Sequence, residues 1–66
     1  MINFGKVVKE RRDLLKLTQR DLSEMSHITE RTIYKIENGI GSVTLETMQK
    51  LCDVLGLEIQ IKAKKS

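Results

Sequence analysis

The stretch from Leu17 to Gly39 holds two short helical patterns with so few residues between them that only a tight turn can join them. Leu22 and Met25 lie three positions apart, which places both side chains on one face of the first helix. Ile33 and Ile36 repeat this spacing in the second helix. The rest of the chain is organised around this pair of helices.

Polar residues at the starts of the two helices predict where each begins. Thr18 with Asp21 three residues later resembles a capping box in which Asp replaces the usual Glu. Thr29 is a suitable N-cap for the second helix. Between them, His27 interrupts the helical pattern, and we expect it to be a turn residue in the left-handed conformation. Gly adopts that conformation most easily, and His tolerates it better than most other residues.

The outer face of the second helix carries long hydrogen-bonding side chains, which suit a helix that contacts base edges in the major groove of DNA. The stretch is therefore predicted to be a helix-turn-helix with the second helix as the recognition helix. The residues expected to contact bases are Glu30, Arg31, Tyr34 and Lys35. Those expected to contact the DNA backbone are Thr18, Gln19, Thr29, Thr32 and Asn38.

Two of these residues have simpler alternative roles. Gln19 lies in the first turn of its helix, where backbone N–H groups favour a phosphate, and the alternative is an ordinary solvated residue. Glu30 could accept a hydrogen bond from a cytosine amino group, or it could only complement the dipole at the N-terminus of its helix.

Two further helices flank the central pair. The first is predicted to follow an N-cap at Asn3, with apolar residues recurring at helical spacing. These residues are Phe4, Val7, Val8, Leu14 and Leu15. The last helix is predicted to start after a cap at Thr44 and to end at Gly56. Its apolar face contains Leu45, Met48, Leu51, Cys52 and Leu55.

Arg12 and Glu37 are charges of opposite sign on the apolar stripes of different helices. An unpaired buried charge is costly, so we predict an interhelical ion pair between them. The alternative is that each side chain is solvated at the edge of its stripe.

After Gly56 the apolar period changes from helical to two, since Leu57, Ile59 and Ile61 alternate with polar residues. This alternation predicts a strand over residues 57–63. A single strand is not stable alone, and the simplest partner is the same strand of a second copy. Leu57, Ile59 and Ile61 are therefore the predicted dimerisation residues. The tail lysines Lys64 and Lys65 are expected near DNA phosphates.

The bulk properties fit one small domain, residues 1–66, with a thin core that a second subunit would help to stabilise. The net charge of +3 is compatible with a polyanionic partner. The sequence shows no transmembrane run and no signal peptide, so we expect a cytoplasmic protein. The single cysteine, Cys52, is expected to be a buried structural thiol. We expect no enzymatic activity, cofactor or metal, because the sequence has no motif for them.

The combination of Gln19, Thr29, Ile33 and the Glu37-Asn38-Gly39 ending resembles the Xre-type helix-turn-helix family, which includes the lambdoid phage repressors and Cro proteins. The resemblance covers about residues 8–57 and departs from the family at His27, where Gly is usual. It implies a mainly α, four-helix, lambda-repressor-like domain. By position, it assigns Gln19 to a phosphate and to bracing the recognition helix. It places Glu30, Arg31 and Lys35 at bases, Asn38 at the backbone, and Arg12 against Glu37.

A fourth helix followed at once by a short strand resembles the HipB-like antitoxins, which dimerise through such strands. The resemblance therefore implies a dimeric DNA-binding autorepressor on an inverted-repeat operator, acting as the antitoxin of a toxin–antitoxin operon with a cognate toxin as partner. Two alternatives stay open. One is a stand-alone phage or mobile-element repressor, and the other is a protein-interaction module that neutralises a partner protein.

Overall fold

The computed structural model describes residues 3–64, so Lys65 lies outside the described residues. Four helices occur in this range, and the prediction of a mainly α, four-helix domain is confirmed. They are α1 (Phe4–Leu14), α2 (Gln19–Ser26), α3 (Glu30–Glu37) and α4 (Leu45–Leu55). None of these helices is long and apolar enough to cross a lipid bilayer.

The core lies where the four helices meet, and each helix contributes at least one fully buried side chain. The fully buried residues are Val8, Leu22, Ile33, Leu51 and Leu55. Around them lie partly buried apolar side chains, namely Phe4, Leu17, Ile28, Val43, Val54 and Leu57. Because α2 and α3 contribute few of these residues, their orientation depends on α1 and α4 as much as on each other.

Four apolar residues that the spacing assigned to inner helix faces are largely outside the core. One of them, Leu45 in the first turn of α4, is 59% exposed. Met25 is 53% exposed, and Ser26 takes the inner position four residues after Leu22. The hydroxyl of Ser26 donates to the Leu22 carbonyl at 2.6 Å, so its burial leaves no unpaired donor. Leu14 and Leu15 are 68% and 42% exposed, because α1 ends at Leu14 and the chain turns away there.

Gly5 is buried where α1 crosses the C-terminal end of α3. A Cβ atom at this position would overlap the Ile36 carbonyl, which belongs to the backbone and cannot rotate away as a side chain could. The absence of a side chain therefore sets how closely α1 approaches α3.

The end of α4 is fixed by contacts that close the fold. Gly56 adopts a left-handed conformation with φ 69°, and its N–H donates to the Cys52 carbonyl. The guanidinium of Arg11 donates from Nε to the Leu55 carbonyl at 2.7 Å, which ties α1 to the end of α4. These contacts direct the chain after Gly56 back toward α1.

The strand predicted over residues 57–63 is absent from the described residues, and this part of the fold prediction is corrected. A strand needs hydrogen bonds to a neighbouring strand, and residues 3–64 contain no second strand to supply them. The alternating burial is nevertheless present, since Leu57 and Ile59 are half-buried while Glu58 and Gln60 are exposed. Ile61 is 83% exposed and lies outside the core.

Candidate nucleic-acid interface

The start of α2 is held by a complete capping box. The Asp21 N–H donates to Thr18 Oγ1, and the Thr18 N–H donates back to the Asp21 carboxylate, each at 2.9 Å. The hydrogen bond from the Thr18 N–H is the main cause that lowers the pKa of the exposed Asp21 carboxyl below its usual value. Two of the N–H groups that a helix start leaves unpaired are thereby satisfied.

The turn between α2 and α3 is made by His27, whose φ of 62° places it in the left-handed region. Its N–H donates to the Ser23 carbonyl at 2.9 Å and so ends α2. Thr29 then caps α3, because its hydroxyl oxygen accepts a hydrogen bond from the Thr32 N–H at 3.2 Å. A histidine therefore fills the turn position that favours glycine.

The outer face of α3 is accessible along its whole length. Ile33 and Ile36 anchor the helix in the core, while the side chains between and before them point to solvent. Tyr34 is 53% exposed. Within residues 3–64, Arg31 and Lys35 take part in no ion pair. The four residues predicted to contact bases, Glu30, Arg31, Tyr34 and Lys35, are thus all exposed on one short helix.

Behind this face, Arg12 and Glu37 form a bidentate ion pair. Arg12 Nε and Nη2 donate to the two carboxylate oxygens of Glu37 at 2.8 and 3.0 Å. The Arg12 and Glu37 side chains are only 11% and 2% exposed, respectively. The hydrogen bonds to Glu37 raise the pKa of Arg12 above its usual value. Arg12 Nη1 also donates to the Leu17 carbonyl at 2.8 Å, which fixes the connection between α1 and α2.

Gln19 joins the same cluster, because its side-chain amide donates to Glu37 Oε1 at 3.1 Å. The carboxylate of Glu37 therefore links the C-terminal end of α1, the first residue of α2 and the last residue of α3. Gln19 is half-buried, and the second hydrogen of its amide stays available to an outside acceptor such as a phosphate.

The other residues predicted at the DNA backbone are exposed at helix ends. Thr18 and Thr29 are the N-caps described above, and Thr32 lies one turn into α3. Asn38 is the C-cap of α3, and its side-chain amide donates to the Tyr34 carbonyl at 2.8 Å. The structure brings these residues to the ends of α2 and α3, while contact with DNA itself stays a prediction.

Two residues that position this interface are not among those predicted from the sequence. Gly5 permits the close approach of α1 to α3, and Arg11 ties α1 to α4. A glycine inside a helical pattern could have signalled close packing, because glycine otherwise weakens a helix. Arg11 gives no such signal, since an arginine among charged neighbours looks like a solvated residue.

The described residues hold no group of three or more His, Cys, Asp or Glu side chains that could bind a metal ion. Cys52, the only cysteine, lies on α4 and is 3% exposed. Burial, and then the charge of Asp53, raise the pKa of the Cys52 thiol above its usual value.

Comparison with known proteins agrees with this geometry. The sequence model of a helix-turn-helix family, HTH_3, matches residues 8–62. A protein of Methanothermobacter thermautotrophicus, provisionally named an HTH-type transcriptional regulatory protein, is 35% identical over 57 residues. A protein of the same provisional name from Methanobrevibacter smithii is 32% identical over 57 residues. Each match covers 86% of this chain but only 18% of the length of the relative.

Proposed function

Since the chain belongs to the Xre-type helix-turn-helix family HTH_3, we propose that it is a sequence-specific DNA-binding regulator of transcription with α3 as its recognition helix. The main support for the proposal is the exposed polar face of α3. The helix is held at its C-terminal end by hydrogen bonds from Arg12 and Gln19 to Glu37. These hydrogen bonds hold the helix in one orientation, which base contacts require because a small rotation would misalign every side chain.

The polar character of α3 also separates this proposal from a protein-interaction module. A helix that binds a protein groove usually presents several apolar anchors on its outer face. The outer face of α3 instead presents Glu30, Arg31, Lys35 and the amphipathic Tyr34. The relatives' provisional names, which describe transcriptional regulators, favour the same choice.

The finer proposal is that the chain acts as a homodimer on an inverted-repeat operator, represses its own operon and serves there as the antitoxin of a toxin. Two-fold symmetry in the protein matches two-fold symmetry in the operator. The antitoxin role rests on the resemblance of α4 and the following segment to HipB-like antitoxins. A stand-alone repressor would bind the same kind of operator, and co-purification with the product of a neighbouring gene would distinguish the two.

The test is selection of bound sequences from random DNA, repeated with Arg31→Ala. We expect this substitution to weaken binding by about 1–3 kcal/mol and to relax the preference at one base position per half-site. Lys50→Ala is the matched control, because it removes one positive charge from an exposed position of α4, whose main contacts are with α1 and α2. The control should keep the full preference. If Arg31→Ala selects the same sequences as the unaltered protein, Arg31 is not a base contact.

A further inference from the structure

The surface of α2 carries one charged row of residues next to the side that faces α3. Residues four positions apart lie on the same side of a helix, so the 8 residues of α2 form four rows of two. In order around the helix these rows are Leu22 with Ser26 (buried), Gln19 with Ser23 (half-buried), Arg20 with Glu24 (exposed) and Asp21 with Met25 (exposed). The Gln19 amide donates to Glu37 of α3, so its row faces α3. The row of Arg20 and Glu24 comes next and is therefore the fully exposed row of α2 that lies nearest to α3 on this side.

Arg20 and Glu24 form an ion pair on this row, with Arg20 Nε and Glu24 Oε1 3.4 Å apart. Their side chains are 78% and 70% exposed, so water and salt screen the attraction. The order of the two charges is also the less favourable one, because a helix is stabilised more when the acidic residue comes four positions before the basic one. Glu46 and Lys50 on α4 have the favourable order. The contact between Arg20 and Glu24 is therefore weak and opens easily.

DNA bound along the exposed face of α3 would compete with Glu24 for Arg20. The phosphates of both strands border the groove that a recognition helix enters, and a guanidinium group can donate two parallel hydrogen bonds to one phosphate. Glu24 repels the same phosphate through its own negative charge. Every other exposed ion pair within residues 3–64 lies on α1 or α4, so Glu24 is placed differently from the other paired acidic residues.

We propose that Arg20 binds a phosphate of the DNA backbone, and that Glu24 weakens DNA binding because it holds Arg20 in an ion pair in the free protein. The ion pair opens when DNA binds, and the guanidinium of Arg20 exchanges a carboxylate for a phosphate. The inference rests on the proposed DNA-binding function and deepens it, since it assigns a phosphate contact and a residue that limits affinity. Because phosphates carry no sequence information, Glu24 should weaken binding to all duplexes by a similar factor.

The test measures the affinity of Arg20→Gln, Glu24→Gln and the double variant for a short duplex of random sequence and for the selected operator, each over a range of salt concentrations. Arg20→Gln should bind both duplexes about fivefold more weakly, and the slope of log affinity against log salt should become shallower by about 0.9, the value for one phosphate contact. Glu24→Gln should bind both about fivefold more tightly at low salt. When Arg20 is already replaced, Glu24→Gln should tighten binding only about twofold, because only the direct repulsion of the phosphate is then removed.

Glu46→Gln is the matched control, because it removes the same charge from the exposed ion pair on α4. It should change affinity less than about twofold, since α4 lies away from the recognition face and salt screens its charges. Equal tightening by Glu46→Gln and Glu24→Gln would show an effect of net charge alone and would overturn the proposal. An unchanged salt slope in Arg20→Gln, or the same tightening by Glu24→Gln with and without Arg20, would overturn it as well. Gln has nearly the helix propensity of Arg and Glu, so the melting temperatures of all variants should stay within a few degrees of each other.

The two duplexes separate this inference from the proposed function. If Arg20 and Glu24 control salt-dependent binding to the random duplex but no sequence is selected, the regulator proposal fails and the phosphate contact stands. If an operator is selected and neither substitution changes its affinity or its salt slope, the phosphate contact fails and the regulator proposal stands.

Discussion

At the scale of single residues, the carboxylate of Glu37 is held by side chains from two other helices. Its side chain is 2% exposed and accepts hydrogen bonds from both Arg12 and Gln19. Burial removes the hydration of the charge, and these donors replace it. The group therefore contributes little to net stability beyond an apolar pair of similar size, but it makes the relative positions of α1, α2 and α3 specific.

Removing either Arg12 or Glu37 should strongly lower the free energy of unfolding, because the remaining charge is then buried without a partner. We expect Glu37→Ala to lower the free energy of unfolding by about 3 kcal/mol, and Arg12→Ala to have an effect of similar size. The double variant should lose less than the sum, since no charge is then stranded. Denaturant unfolding of the four proteins measures this coupling, and strictly additive losses would contradict it.

The exposed pair between Arg20 and Glu24 is the comparison for this experiment. Its side chains are 78% and 70% exposed, although the two charged atoms are only 3.4 Å apart. Such surface pairs contribute about 0–1 kcal/mol because water and ions screen them. A similar coupling energy in both cycles would show that burial of Glu37 has no consequence.

At the scale of helices, the approach of α1 to α3 depends on Gly5. Replacing glycine by alanine inside a helix normally stabilises a protein by roughly 0.5–1 kcal/mol. At Gly5 we expect the opposite sign, because the new Cβ atom would overlap the Ile36 backbone and push α3 away from α1. We expect Gly5→Ala to lower the free energy of unfolding by about 2 kcal/mol and to weaken DNA binding in addition.

Gly39→Ala provides the control in the same region. Gly39 has φ 69°, and nothing lies within 4 Å of the position where its Cβ would be placed. Its substitution should cost only the backbone strain of a left-handed alanine, about 1–2 kcal/mol. Thermal unfolding with a gel shift for each variant makes the comparison. A Gly5→Ala variant more stable than the unaltered protein would show that α1 and α3 separate without penalty.

The helices themselves were predictable from the sequence because their signals are local. Thr18, Thr29 and Thr44 cap three of them where the polar-to-apolar pattern placed them, and Gly56 ends α4. Burial at the ends of helices was not predictable to the same degree. Leu14 and Met25 have the right spacing but are exposed, since spacing gives the face of a helix and not whether another element covers it.

For the candidate site, the sequence indicated which residues share the outer face of α3, because helical periodicity alone determines this. It did not indicate Gly5 or the bond from Arg11 to the Leu55 carbonyl, since both depend on how two distant helices cross. Residues 57–63 show a different limit of prediction from sequence. Their alternation predicts that one side packs against the domain, and Leu57 and Ile59 are indeed half-buried. The alternation does not show whether a neighbouring strand is present, and a strand forms only where one supplies hydrogen bonds.

At the scale of the whole molecule, one domain of this size offers too few contacts for a unique DNA site. A single recognition helix contacts only a few base pairs, and the +3 net charge adds attraction that does not depend on sequence. A dimer doubles the number of base contacts and fixes the distance between the two copies of α3. The proposed homodimer therefore predicts a constraint on the spacing of the operator half-sites.

The constraint can be tested by changing the operator instead of the protein. Two recognition helices on one face of DNA require half-sites about 10 base pairs apart, centre to centre, or a multiple of this distance. Inserting about 5 base pairs turns one half-site to the opposite side of the duplex, so we expect affinity to fall to that of an isolated half-site. Inserting about 10 base pairs returns both half-sites to the same side of the duplex but places them one helical turn further apart. A dimer that holds its two recognition helices at a fixed distance should therefore recover only part of the original affinity. Gel shifts on the three operators and on a single half-site measure this series. Equal affinity for all three spacings would mean that each copy binds DNA independently, and would contradict the proposed homodimer.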